Sequence, residues 1–126
     1  MTRIGVIFPG QGSQTLGMGV DLAKHSTAAS DLFDMAQTVL GYDLLGLQQR
    51  GPEERLRETQ YSQPAIFVTN VAIFAALELP FESLVVSAGH SFAEYCSLYA
   101  AQAIGFEDAL RVVNARGIAM QGAADL

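Results

Sequence analysis

The stretch Leu84-Val85-Val86-Ser87-Ala88-Gly89-His90-Ser91-Phe92-Ala93-Glu94-Tyr95 decides how the chain reads. An apolar, β-branched run ends in small residues, Gly-His-Ser follows, and then a segment with helical periodicity begins. Strand, sharp serine-bearing turn and helix together make a nucleophile elbow. Such a turn strains the Ser91 backbone and lifts its hydroxyl clear of the sheet, at the start of the next helix. Backbone N–H groups there, that of Phe92 above all, point where an oxyanion would form. Gly89 is required because a β-carbon two residues before the serine would collide with the neighbouring chain. Ala93 stands where the usual pattern has a second glycine and is small enough for close helix–strand packing. A plainer reading fits the same letters: Ser91 as helix N-cap, with Glu94 completing a capping box. Both readings are compatible with the local sequence.

Working outward, 126 residues suffice for one domain, residues 1–126, with a real core and are too few for two. Apolar residues make up 50% and charged residues 16%, which is unusually apolar for a free-standing domain. The net charge of −6 and the absence of any Lys/Arg cluster argue against nucleic-acid binding. A single cysteine, Cys96, has no internal disulfide partner and fits a reducing compartment. Its place in the helix after the elbow suits a buried structural thiol. The opening Thr2–Phe8 segment is too short for a signal peptide and runs into Pro9-Gly10. No apolar run approaches a membrane span. The expectation is a cytoplasmic protein with no membrane or nucleic-acid partner, and with neither a metal nor a resident cofactor.

Before the elbow, Ile4–Phe8 reads as a short buried strand, followed by the loop Pro9-Gly10-Gln11-Gly12-Ser13-Gln14. A loop so placed lies at the carboxyl end of the sheet, where open α/β folds put their ligands. It lacks the lysine and glycine spacing of a phosphate loop. Gln11 and Gln14 either offer amide donors to an acyl group or hydrate a surface turn. A short helix closes over Asp21–Lys24, leaving His25 in a connector. Ser26 or Thr27 caps a second helix that carries Leu32, Phe33, Met35, Ala36, Val39 and Leu40 inward and ends at Gly41. Leu44, Leu45 and Leu47 start another helical piece, and residues 51–56 lead into a further helical turn. Gln60–Leu79 is the strongest helix, apolar nearly all round and so expected to be buried. Pro64 is expected within its first turn, and Gln63 needs polar partners in apolar surroundings.

After the elbow, Ala93–Ala101 forms a helix behind the nucleophile. A last amphipathic helix begins at Gly105-Phe106 and bears Ala109, Leu110, Val112, Val113, Ile118 and Met120. Arg111 and Arg116 are its cations, and on local grounds such arginines are solvated or paired with acids. Only two strands are convincing. A doubly wound sheet needs more parallel strands to cover its faces, so the sequence looks like the front of a larger domain.

Four separated motifs then occur in order: Phe8-Pro9-Gly10-Gln11-Gly12-Ser13-Gln14, Thr59-Gln60-Tyr61-Ser62-Gln63-Pro64-Ala65, Gly89-His90-Ser91-Phe92-Ala93-Glu94-Tyr95 and Arg116-Gly117-Ile118-Ala119-Met120-Gln121. Together they resemble the malonyl-CoA:acyl carrier protein transacylases and the acyltransferase domains of polyketide synthases, over about the first two-fifths of a family member. The resemblance implies a three-layer, α/β-hydrolase-like acyltransferase core with a parallel sheet and a nucleophile elbow. Ser91 would take malonyl from coenzyme A as an ester and pass it to the phosphopantetheine thiol of an acyl carrier protein. The backbone N–H groups of Gln11 and Phe92 would form the oxyanion hole. Arg116 would grip the free carboxylate of malonate, bidentately as its planar fork suits, with Gln63 and His90 in the same pocket.

Phe92-Ala93 departs from the usual Leu-Gly; Phe92 is expected to narrow the acyl pocket and Ala93 to tighten the elbow. A serine nucleophile needs a histidine to take its proton, and the family supplies it from beyond the equivalent of residue 126. Of the two histidines here, His25 sits in a connector and His90, adjacent to Ser91, should diverge from it. The expectation is therefore a fragment without efficient turnover and with a tendency to aggregate through its uncovered sheet. Two alternatives stand beside it: an acyl hydrolase or editing acyltransferase that gives the acyl group to water, and a non-catalytic half that binds a carrier protein.

Overall fold

The computed structural model describes residues 2–126. Two parallel strands, β1 (Ile4–Phe8) and β2 (Leu84–Gly89), pair from Ile4↔Leu84 to Phe8↔Gly89, with a register shift after Ile4. Between them run α1 (Val20–His25), α2 (Thr27–Leu40), α3 (Leu44–Arg50), α4 (Glu53–Arg57) and α5 (Thr59–Ala76). A 3₁₀ turn over Phe81–Ser83 leads into β2, and another over Ser91–Ala93 leads out of it into α6 (Glu94–Ala100); α7 (Phe106–Ala124) follows. Ser26 accepts the Ala29 N–H as the cap of α2, and Gly41 ends that helix at φ 82°, both as the sequence predicts.

α5 is the spine: α2, α4, α6 and α7 all pack on it. Residues Ser62–Ala72 are buried without a break, because neighbours surround that part of the helix. Its last turn departs from the expectation of full burial. Ile73 and Leu77 are about half exposed, lying in an apolar groove beside β1 that Val6, Ile7 and Phe8 also line. The helix also starts at Thr59 and ends at Ala76, so Pro64 falls in its second turn, where its missing N–H leaves the Gln60 carbonyl without a helical donor.

In α7 the inward stripe is Phe106, Ala109, Leu110, Val113 and Gly117, at the i, i+3, i+4, i+7 and i+11 positions. Val112, Ile118 and Met120, expected on that face, lie 40–53% exposed off the stripe. Met35 of α2 is likewise at the surface. The Phe67 ring stacks on Phe106, and Tyr99 meets both Phe74 and Phe106 edge-on, joining α5, α6 and α7.

The sheet is asymmetric. Phe8 and the half-buried Ile4, Val6 and Ser87 face the helices, with α6 across both strands. Gly5, Ile7, Val86 and Ala88 share the opposite face by register and are exposed, Ile7 at 85% and Val86 at 63%. One wall of an α/β core is therefore built, and the other face of the sheet is apolar surface. Among the described residues no helix is long and apolar enough to cross a membrane.

Candidate active site

β2 delivers the chain to His90 and then to Ser91, whose φ of 59° lies in the left-handed region that a non-glycine residue seldom adopts. The strain is held in place by close packing of the turn. A β-carbon on Gly89 would lie 1.9 Å from the Ala93 carbonyl oxygen and 2.7 Å from the Glu94 nitrogen. The collision inferred from the sequence is thus with the chain just after the serine, folding back over the strand end. Ala93 is itself fully buried there.

The capping-box reading does not hold. The 3₁₀ turn has His90 at its N-cap with no side-chain cap, and α6 likewise has none. Ser91 Oγ instead accepts a hydrogen bond from Arg116 Nη2 at 3.0 Å, 25 residues away. A serine at φ 59° begins the turn rather than preceding a helix in extended conformation, so its hydroxyl does not face the helix amides.

Arg116 Nη1 donates to Gln63 Oε1 at 3.0 Å, and Gln63 Nε2 donates to Met120 Sδ at 3.2 Å. The partners that Gln63, fully buried, needs are thereby found on α7. Gly117 makes this possible: a β-carbon there would stand 3.1 Å from the Thr59 carbonyl oxygen and 3.2 Å from Gln60 Cα. α7 thus presses against the first turn of α5, and the residue before Gly117 reaches Ser91. Arg111, a turn away from Arg116, behaves as a surface arginine and pairs with Glu107 and Asp108 at 3.5 Å.

The loop after β1 lies against the elbow. A β-carbon on Gly10 would meet the His90 carbonyl oxygen at 2.8 Å and His90 Nδ1 at 3.2 Å. Gln11 follows, with no acceptor for its backbone N–H among the described residues, and its side chain donates to Thr59 Oγ1 at 3.1 Å. Gln14 Oε1 accepts the Gly12 N–H at 2.9 Å, so this glutamine stabilises its own turn. The Phe92 ring is fully buried in the core. That corrects the expectation of a pocket-narrowing side chain: the ring points into the core, leaving its backbone as its contribution beside Ser91.

Neither histidine is hydrogen-bonded to the Ser91 hydroxyl among the described residues. His25 ends α1 and its Nδ1 bonds to the Asp21 carbonyl at 2.8 Å; His90 is exposed. Because Ser91 Oγ accepts from Arg116, its own proton is free for another group. Cys96 is buried, as expected, and burial pushes its thiol up to about 12, against a smaller downward pull from the Asn70 side chain.

Some contributors escaped the sequence reading. Asn70 donates to the Pro9 carbonyl at 3.0 Å and fixes the start of the loop; its signal was a polar side chain inside an unbroken apolar helix. Thr59 and Gln121 sit within the quoted motifs without an assigned part, yet Gln121 Oε1 accepts the Thr59 N–H at 2.8 Å. A cleft of about 430 Å³ lined by Phe74, Phe81, Leu84 and Tyr99 lies at the other end of β2 and contains none of these groups.

A left-handed serine directly after a parallel strand, at the entry to a helix, has the geometry of a nucleophile elbow, and here an arginine donates to its hydroxyl. In keeping with this, residues 6–125 match the acyl transferase domain, and the chain belongs to that family. Within it, the chain is 43% identical over 125 residues to the malonyl CoA-acyl carrier protein transacylase of Haemophilus influenzae, covering 98% of this chain and 40% of that protein. The malonyl CoA-acyl carrier protein transacylase of Coxiella burnetii superposes with a TM-score of 0.88 at 44% identity, over 95% of this chain and 38% of that one. A malonyl-transacylase solved in complex with a type II PKS acyl-carrier protein gives 0.86 at 42% identity, over 97% and 40%. The fold is therefore that of the malonyl transacylase core, and the chain spans about two-fifths of the length of these relatives.

Proposed function

We propose that this chain forms the nucleophile-bearing part of an [acyl-carrier-protein] S-malonyltransferase acting in fatty-acid or polyketide biosynthesis in the cytoplasm. The observation that carries the reading is Arg116, donating at 3.0 Å to both Ser91 Oγ and Gln63 Oε1. A cation held within reach of the nucleophile suits an acyl group that carries its own carboxylate, and is of no use to a hydrolase of neutral acyl groups.

In this reading Ser91 Oγ attacks the thioester carbonyl of malonyl-CoA and gives up its proton to a base. The backbone N–H groups of Gln11 and Phe92 take the charge on the tetrahedral oxyanion. Collapse expels the coenzyme A thiolate and leaves a malonyl ester on Ser91, which the phosphopantetheine thiol of an acyl carrier protein then attacks. Arg116 exchanges its bond to Ser91 for the malonyl carboxylate, while Gln63 keeps the guanidinium in plane; His90, against Gly10, borders the same space. No metal or resident cofactor takes part.

The base is a histidine outside these 126 residues, since His25 is tied to its own helix and His90 does not engage Ser91. The chain alone is then catalytically silent. The names and architecture of the relatives, one of them solved with a carrier protein, support the pairing with malonyl-CoA and acyl carrier protein. The test supplies the missing part: the chain is co-expressed with the remaining portion of the Haemophilus influenzae relative, and malonyl transfer to holo-carrier protein is measured. Transfer by the pair, abolished by Ser91→Ala, supports the reading. Free malonate formed without carrier protein points to a hydrolase, and carrier-protein binding without transfer points to a non-catalytic half.

A further inference from the structure

Thr59 touches both ends of this site, and no part of the proposed reaction uses it. It heads α5, where the first N–H groups of a helix lack helical partners and where Glu58, at the N-cap, offers no side-chain bond. Gln121 Oε1 reaches from α7, 62 residues on in sequence, to take the Thr59 N–H at 2.8 Å. On the other side Thr59 Oγ1 accepts Gln11 Nε2 at 3.1 Å, across 48 residues. Gly117 lies over the Thr59 carbonyl. One residue therefore ties the loop that carries the Gln11 amide to the helix that carries Arg116.

We infer that Thr59 is a positioning residue that sets the spacing between the oxyanion-side donor, Gln11 N–H, and the carboxylate-binding guanidinium of Arg116. The inference rests on the malonyl-transfer reading for its purpose, and on hydrogen bonds alone for its geometry. α5 holds the loop at two points, through Asn70 at Pro9 and through Thr59 at Gln11. Only the second is also bonded to α7. An acyl group gripped at its carboxylate by Arg116 must present its thioester carbonyl to the Gln11 amide, and a fixed strut between the two spares the loop from ordering during the reaction.

The test uses the full 126-residue chain labelled with ¹⁵N, with malonate as the probe. Thr59→Val keeps the shape and removes the acceptor; Thr59→Ser keeps the acceptor. The Gly12 and Ser13 amides, hydrogen-bonded within the loop, should exchange about five- to tenfold faster in Thr59→Val, as for loss of one hydrogen bond, and return to normal in Thr59→Ser. Malonate should shift both Arg116 Nε and the Gln11 amide in the parent chain, but only Arg116 Nε in Thr59→Val. Loop exchange and Gln11 response unchanged in Thr59→Val would overturn the inference. Should Thr59→Val not fold, Gln11→Leu breaks the same bond from its exposed end, and the same pair of outcomes decides. Malonate that leaves Arg116 unmoved in the parent chain counts against the carboxylate reading instead, and the exchange rates still judge the strut.

Discussion

Arg116 Nη2 rests on Ser91 Oγ at 3.0 Å, so the group that would read the acyl chain's charge also occupies the atom that would attack it. The contact joins α7 to the elbow across the mouth of the site. A cation so close favours any negative charge that develops on the hydroxyl. A dicarboxylic acyl group would draw the guanidinium away as it arrives, whereas a neutral acyl group has nothing to offer it.

Arg116→Ala should therefore weaken malonate binding to the chain by about ten- to a hundredfold, the loss of a charge-assisted, two-pronged contact. Arg116→Lys keeps the charge without the fork and should fall between the two. Acetamide, which carries no carboxylate, serves as the reference ligand. Titration followed by NMR or calorimetry reads the result. Equal effects on malonate and acetamide would remove the carboxylate role from Arg116.

The left-handed backbone at Ser91 has a stability signature. Ser91→Ala and Ser91→Gly both lose the hydroxyl and its bond to Arg116, but only glycine adopts φ 59° without cost. The glycine variant should be the more stable of the two by about 1 kcal/mol. In an ordinary turn the order reverses, because glycine gives up more chain entropy on folding. Thermal melts of the two variants decide, and a more stable alanine variant would mean that the turn is unstrained.

Much of this was legible in the sequence, and the parts that were not share a cause. The β2–Ser91–α6 run, the capped α2 and the short strand β1 are written locally, in periodicity and in cap or turn residues. The Arg116–Ser91–Gln63 cluster was reached only through the resemblance of separated motifs, because local sequence gives a helix-face arginine no partner. Thr59, Asn70 and Gln121 remained silent for the same reason: each acts through hydrogen bonds to segments 48 to 62 residues away. The exposure of Val112, Ile118 and Ile73 was also invisible. An apolar letter signals burial only when something covers it, and pattern alone does not say what does.

Close packing at Gly89 gives a sharper stability contrast. Gly89→Ala drives a β-carbon to 1.9 Å from a backbone oxygen that has no flexible end to move. It should cost about 3 kcal/mol or more, lowering the melting temperature steeply or preventing folding. Gly122→Ala, on the exposed side of α7 with open space around it, should stabilise the chain by about 0.5–1 kcal/mol through helix propensity. A mild effect at Gly89 would show that the elbow relaxes freely and holds Ser91 less tightly than its geometry requires.

Cys96 ties stability to alkaline pH in a defined direction. Its thiol is raised from 9.0 to about 12, first by burial. In the unfolded chain it ionises near its ordinary value, whereas the folded chain keeps it neutral. Its contribution is therefore complete below about pH 9 and is lost progressively as the pH climbs toward 12. Because the thiolate is the reactive form, Cys96 in the folded chain should resist iodoacetamide at pH 8 and react promptly in urea. A Cys96→Ala variant should lose less stability between pH 8 and pH 10.5 than the parent chain. It should also be less stable at pH 8 by about 1 kcal/mol, since a buried sulfur is removed from a packed core. Identical alkaline slopes for the two chains would mean that the thiol ionises as easily folded as unfolded, and that α6 does not seal it from water.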